Sequence, residues 1–164
     1  CVCTLRPKSE GGLFNGKEYE RKSILRLIAE YNPFLLDVEF NTIQKDKNLT
    51  IYLKKTKCKL LISWHDFKKT PNESQLKSRF NKMKKFSDML KIVTVAKNVS
   101  DASRLLSLYS IKSKNEIIAF CMGEQGKFSR ILCLHLGSPF TYVSLGRAIA
   151  PGQFSVDEIK SLQK

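Results

Sequence analysis

Six short, almost uninterrupted apolar runs are separated by longer amphipathic stretches, and that alternation leaves few folds open to the chain. The runs are CVCTL (1–5), FLLDVEF (34–40), KLLISWHDF (59–67), MLKIVTVA (89–96), EIIAFCM (116–122) and TYVSL (141–145). A strand with one wet face alternates apolar and polar residues. These runs hardly alternate, so they read as strands covered on both faces, as in a parallel sheet flanked by helices. Between them, residues 17–31 place Ile24, Leu27, Ile28 and Tyr31 at helical spacing, and Pro33 ends that helix. Residues 44–57 are weakly patterned and read as a helix followed by a basic turn. A basic helix over 72–86 carries Leu76, Phe80 and Met83 on one face. Asn98 or Ser100 caps a helix over 101–110, another helix lies near 127–136, and a last one starts at Ser155 with Asp157 and Glu158 in its first turn.

Six βα units in an α/β chain fit either an open doubly wound sheet or a (β/α)8 barrel, and six are two short of a closed barrel. Neither a GxGxxG fingerprint nor a P-loop follows the first run, which argues against nucleotide binding. No apolar run approaches the roughly 18–20 residues of a membrane span. The first residue is Cys1 rather than Met, and no signal-type stretch opens the sequence, so the chain is expected to be a piece of a longer protein. The five cysteines form no CxxC pair or zinc-type cluster and read as reduced thiols of a cytoplasmic protein. The net charge of +14 suits a solvated basic surface that attracts a small anion; no nucleic-acid motif accompanies it.

In both candidate folds, reactive groups gather at the C-terminal ends of the strands. Those ends supply Arg6 and Glu10, then Asp37 and Glu39, then His65 and Asp66, Lys91 or Lys97, Met122, Arg130 at the next helix, and Gln153 in a Pro-Gly loop. Each has a plain structural reading: a satisfied histidine, loop carboxylates, a helix-capping arginine, a turn. Together, an amine, an imidazole, carboxylates and two arginines suit Schiff-base chemistry on an anionic carbonyl compound. The strand-end rule favours Lys97 as the amine, but NVSD follows it, so it is expected to reach solvent. Lys91 lies between Leu90 and Ile92, where a lysine either snorkels out or stays buried with a lowered pKa and a nucleophilic neutral form.

The stretches CTLRPKSEGG (3–12), DVEF (37–40), SWHDFKKTP (63–71), KIVTVAK (91–97), AFCMGEQGKFSR (119–130), GSPFTY (137–142) and APGQ (150–153) carry a family pattern. In order and content the chain resembles the type I 3-dehydroquinate dehydratases, Schiff-base enzymes of the shikimate pathway. The resemblance implies a (β/α)8 TIM barrel, with residues 1–164 as one catalytic domain lacking the family's first two βα units and their ELRxD-type motif. It implies a lyase that converts 3-dehydroquinate to 3-dehydroshikimate in aromatic amino acid biosynthesis, with no cofactor and no metal. Lys91 matches the Schiff-base lysine, His65 the general acid/base, and Glu10 the carboxylate that orients the histidine. Arg130 matches the clamp on the substrate carboxylate; Arg6 and Gln153 match further substrate contacts, and Asp37 a carboxylate near the lysine. Met122, Phe120 and Tyr142 match the apolar lining. Ile149 stands where the family usually has Ser. The expected partner is the small-molecule substrate, without membrane or nucleic acid, and a homodimer is compatible. Two other readings stay open: a non-catalytic barrel remnant that binds an anion or nucleic acid, and another Schiff-base lyase of aldolase type.

Overall fold

The computed structural model describes residues 1–146 and 149–162. Five strands, β1 (Val2–Thr4), β2 (Leu35–Glu39), β3 (Leu60–Asp66), β4 (Met89–Val95) and β5 (Glu116–Met122), form one parallel sheet in sequence order. The helices are α1 (Glu18–Glu30), α2 (Phe40–Lys45), α3 (Lys47–Lys55), α4 (Glu73–Met83), α5 (Val99–Leu106), α6 (Ser129–His135) and α7 (Val156–Leu162).

The near-continuous apolar character of the strands has the expected cause: both faces are covered. On one face Leu35, Leu61, Val93, Ile118, Phe120 and Met122 form a cluster. On the other, Leu36, Val38, Ile62, Trp64, Leu90, Ile92 and Ala119 pack against Leu25, Leu49, Leu53, Leu76, Phe80 and Leu105 from the helices. Strand parity sorts the two sets. The register aligns Ser63 with both Glu39 and Lys91, and Val93 with both His65 and Phe120. Polar side chains from neighbouring strands therefore meet at one level of the Leu35–Met122 face.

Helix α4 buries Leu76, Phe80 and Met83 as their spacing predicts. Asn98, not Ser100, caps α5: its Oδ1 accepts from the Asp101 amide at 2.9 Å. Asn98→Ala should therefore lower stability by about 1 kcal/mol, read as a shift in the urea midpoint with an unchanged slope. The cap of α7 is reciprocal, with Ser155 and Glu158 each holding the other's amide.

Three expectations need correction. TYVSL is not a sixth strand. Its only ladder contact among the described residues is the isolated bridge between Ser144 and Ser155, and its Tyr142, with the preceding Phe140, packs onto the Leu35–Met122 cluster instead. The helix within 44–57 is α3, followed at Thr56 and Lys57 by the expected basic turn, but it starts only at Lys47, because Asp46 ends the separate helix α2 and caps α3 through the Leu49 amide. Helix α1 forms as predicted but turns a different stripe inward. It buries Arg21, Leu25 and Ala29, while Ile24, Leu27 and Tyr31 are exposed. The buried stripe contains an arginine, so apolar spacing alone selects the wrong face. No helix among the described residues is long and apolar enough to cross a membrane.

Candidate active site

A cleft of about 360 Å³ opens at the C-terminal ends of the strands, within the usual range for small-molecule sites. Arg6, Glu10, His65, Lys91, Phe120, Met122, Arg130, Tyr142, Ile149 and Gln153 all line it. Asp37 lies just beneath. A second hollow of about 450 Å³, beside Trp64, Arg79 and Lys82, gathers no such set of amine, imidazole and guanidinium groups.

Lys91 sits in the middle of β4, and parity turns it from the helix layer into the cleft. It is only 7% exposed. Its Nζ donates to Asp37 Oδ2 at 3.1 Å and lies 4.2 Å from the centre of the Tyr142 ring. Burial pushes the Lys91 ammonium to a lower pKa; Asp37 opposes this, while Arg6 and Arg130 reinforce it. Lys97 is exposed just before α5, and its backbone amide donates to Asp101.

Asp37 has several partners. Its Oδ2 also accepts from Arg6 at 2.8 Å, and its Oδ1 accepts from the Ser63 hydroxyl at 2.5 Å. Ser63 is in place because the register sets it between Glu39 and Lys91. The Arg6 guanidinium also lies 2.6 Å from the His65 ring nitrogens. Burial, then the Arg6 and Lys91 charges, hold the His65 imidazolium well below the ordinary imidazole pKa. Phe67 stacks on the ring at 5.8 Å. His65 is thus a neutral imidazole over most of the physiological pH range, the form that can accept a proton.

Arg130, on the first turn of α6, is 2% exposed and lies 4.5 Å over the Phe120 ring. One terminal nitrogen donates to the Pro151 carbonyl, and Nε is buried without a partner among the described residues. Burial lowers its pKa to about 10, so it stays cationic at neutral pH. The loop carrying Gln153 closes on the end of β5. Gly123 donates its amide to the Pro151 carbonyl at 3.2 Å. Gly152 has φ +70°, and a Cβ there would stand 2.6 Å from the Gly123 oxygen, so only glycine fits without moving the loop. Gln153 Oε1 accepts from the Ile149 and Ala150 amides, so part of the side chain is spent on the loop itself. Ile149 projects outward, 90% exposed.

The structure brings all nine expected site residues to one place, with Asp37 forming the floor. It does not pair Glu10 with His65: Glu10 Oε1 accepts from Asn41, and Oε2 is buried without a partner among the described residues. The group against the imidazole is Arg6. Asn41, Ser63 and Arg21 were not legible as site residues. Arg21 had one signal, its place in a stripe with Leu25 and Ala29. Among the described residues no group of histidine, cysteine and carboxylate side chains could hold a metal ion.

Comparison with known proteins finds relatives along the whole chain. The family model described as type I 3-dehydroquinase matches residues 1–164. The 3-dehydroquinate dehydratase of Pyrobaculum aerophilum is 40% identical over 156 residues, covering 95% of this chain and 50% of that protein. That of Dehalococcoides mccartyi is 38% identical, covering 96% of this chain and 72% of that protein. The chain thus spans about half the length of the first of these curated relatives. Among solved structures, the type I enzyme of Clostridium difficile with covalently modified comenic acid superposes with a TM-score of 0.87 at 28% identity, over 98% of this chain and 66% of that one. The Geobacillus kaustophilus enzyme gives 0.89 at 22% identity, a likeness of fold alone, over 98% of this chain and 65% of that one. On the match along its whole length, the chain belongs to the type I 3-dehydroquinase family.

Proposed function

We propose that the protein containing this chain is a hydro-lyase that converts 3-dehydroquinate to 3-dehydroshikimate, a step of the shikimate pathway, through a Schiff base on Lys91. The observation that carries this reading is a buried amine held 3.1 Å from a carboxylate, in a cleft shared with a neutral imidazole and a buried guanidinium. The lowered pKa of Lys91 leaves more free amine at neutral pH than an exposed lysine has. The amine adds to the C3 ketone, and water leaves to give an iminium ion. Asp37 is placed to balance that charge. The iminium acidifies the C2 proton, which His65 removes to give an enamine. The enamine electrons expel the C1 hydroxyl, and the His65 imidazolium gives its proton to the departing oxygen. Hydrolysis releases the conjugated ketone and restores the amine. Atoms balance with the net loss of one water and no change of oxidation state.

Arg130 offers a planar cation to the substrate carboxylate. Arg6 and the Gln153 amide supply further polar contacts; Met122 and Tyr142 supply the apolar wall, and Glu10 a carboxylate at the rim. The covalent ligand of the Clostridium difficile relative supports a nucleophile in this kind of site. Arg130→Ala is expected to raise KM by about 10–100-fold, in line with losing a charge-assisted contact of about 1.5–3 kcal/mol. The measurement is a Michaelis curve; an unchanged KM removes Arg130 from substrate binding.

We also read the five-stranded sheet as an arc of a (β/α)8 barrel: two further βα units before it would bring seven strands, and the eighth place falls to the TYVSL segment after β5. The protein is read as cytoplasmic, and a homodimer fits the same reading. The deciding experiment is an absorbance assay of 3-dehydroshikimate formation by the whole protein. A folded protein that leaves 3-dehydroquinate untouched overturns the reading.

A further inference from the structure

One buried charge has no part in the chemistry above. Arg21, on α1, is fully buried. It donates to the Leu5 carbonyl at 3.0 Å, to Glu39 Oε2 at 2.8 Å, to Thr42 Oγ1 at 2.6 Å, and to both oxygens of Glu18. Two of these partners bear on Arg6. Leu5 is its chain neighbour. Glu39 turns its other oxygen, Oε1, toward Arg6 Nε at 3.9 Å, and that oxygen has no hydrogen-bond partner among the described residues. Arg6 therefore lies between two buried carboxylates, Asp37 at 2.8 Å and Glu39 at 3.9 Å. Burial raises the Glu39 pKa, and Arg21 is the main charge that opposes this, with Arg6 a lesser one; without Arg21, Glu39 stays ionised by drawing Arg6 to itself as its remaining counter-charge.

We infer that Arg21 is a positioning residue: by holding Glu39 and the Leu5 carbonyl, it keeps the Arg6 guanidinium on Asp37 and His65. A guanidinium already satisfied on Asp37 stays at the cleft. A guanidinium drawn to Glu39 leaves the imidazole and the cleft rim. The catalytic meaning rests on the role proposed for His65, but the placement of Arg6 does not.

The test reads His65 directly, without turnover. The His65 imidazole resonances are assigned as those missing in His65→Gln and followed against pH by NMR. His65 is faced by Arg6 from the loop after β1, by Glu10 from the turn that follows, by Lys91 from β4 and by Arg130 across the cleft. Of these, Arg6 is the one Arg21 controls. In Arg21→Gln, loss of the Arg6 charge should raise the His65 midpoint by about one pH unit or more. Arg21→Lys keeps the charge but cannot span Glu39 and Leu5 together, so a smaller rise is expected. In Arg21→Gln with Glu39→Gln, no carboxylate draws Arg6 away, and the midpoint should return toward the original. An unmoved midpoint in folded Arg21→Gln overturns the inference. So does a rise in Arg21→Gln with none in Arg21→Lys, which would reduce Arg21 to a distant charge. Should Arg21→Gln fail to fold, Arg21→Lys and the double variant decide by the same midpoints. An inactive protein with the expected midpoints would sink the proposed function and leave the role of Arg21 standing.

Discussion

Lys91→Ala will abolish the borohydride-trapped adduct with 3-dehydroquinate and reduce turnover to background. The loss should exceed the 10²–10⁴-fold typical of removing one acid or base, because the covalent route itself disappears. Lys91 is the buried amine in the cleft, and its lowered pKa supplies the free base. Trapping in the unaltered protein should accordingly rise with pH and level off below the ordinary lysine range near 10.4. Lys97→Ala should keep most of the activity, since Lys97 is exposed just before α5. Peptide mapping of the reduced adduct decides between the two. Mass added at Lys97 and not at Lys91 would end the assignment.

His65→Ala is expected to cut kcat by about 10²–10⁴-fold while still allowing the imine to form. The imidazole is neutral because burial and the Arg6 and Lys91 charges disfavour its protonated form. A depressed pKa means that the base is lost only as pH falls through that lower value. The acid limb of the pH–rate profile should therefore lie below the usual imidazole midpoint near 6.5, and it should vanish in the variant. Single-turnover trapping, beside steady-state rates, separates the two steps. A pH–rate profile unchanged by the substitution would exclude His65 as the proton carrier.

Strands β1 to β5 were legible because burial on both faces leaves a local mark, an apolar run bounded by turns. TYVSL carries the same mark, yet a strand needs a neighbour, and partner choice is not written in five residues. Helix α1 was legible as a helix and misread in its orientation. The acceptors that let Arg21 go inward, Glu39, Thr42 and the Leu5 carbonyl, lie on other elements. The site residues follow from strand ends and from the family pattern, but their pairings do not. Whether Glu10 meets His65 or Asn41 depends on side-chain torsions set by distant neighbours, and the structure gives Asn41. Parity puts Lys91 and Lys97 on one face and cannot choose between them; the place of Lys91 between Leu90 and Ile92 and the family pattern chose it, and exposure then separates the two lysines plainly.

The loop over the cleft is fastened by parts that are blind to one of its side chains. Its ties are the Gly123 amide on the Pro151 carbonyl, the close approach of Gly152, and the Gln153 oxygen on two backbone amides. At position 149 the loop uses only the main chain. Natural drift or a protein engineer can therefore exchange Ile149 for a hydroxyl, an amide or a charge without loosening the loop. That makes it a place where the rim can be retuned to a new ligand while the scaffold keeps its shape.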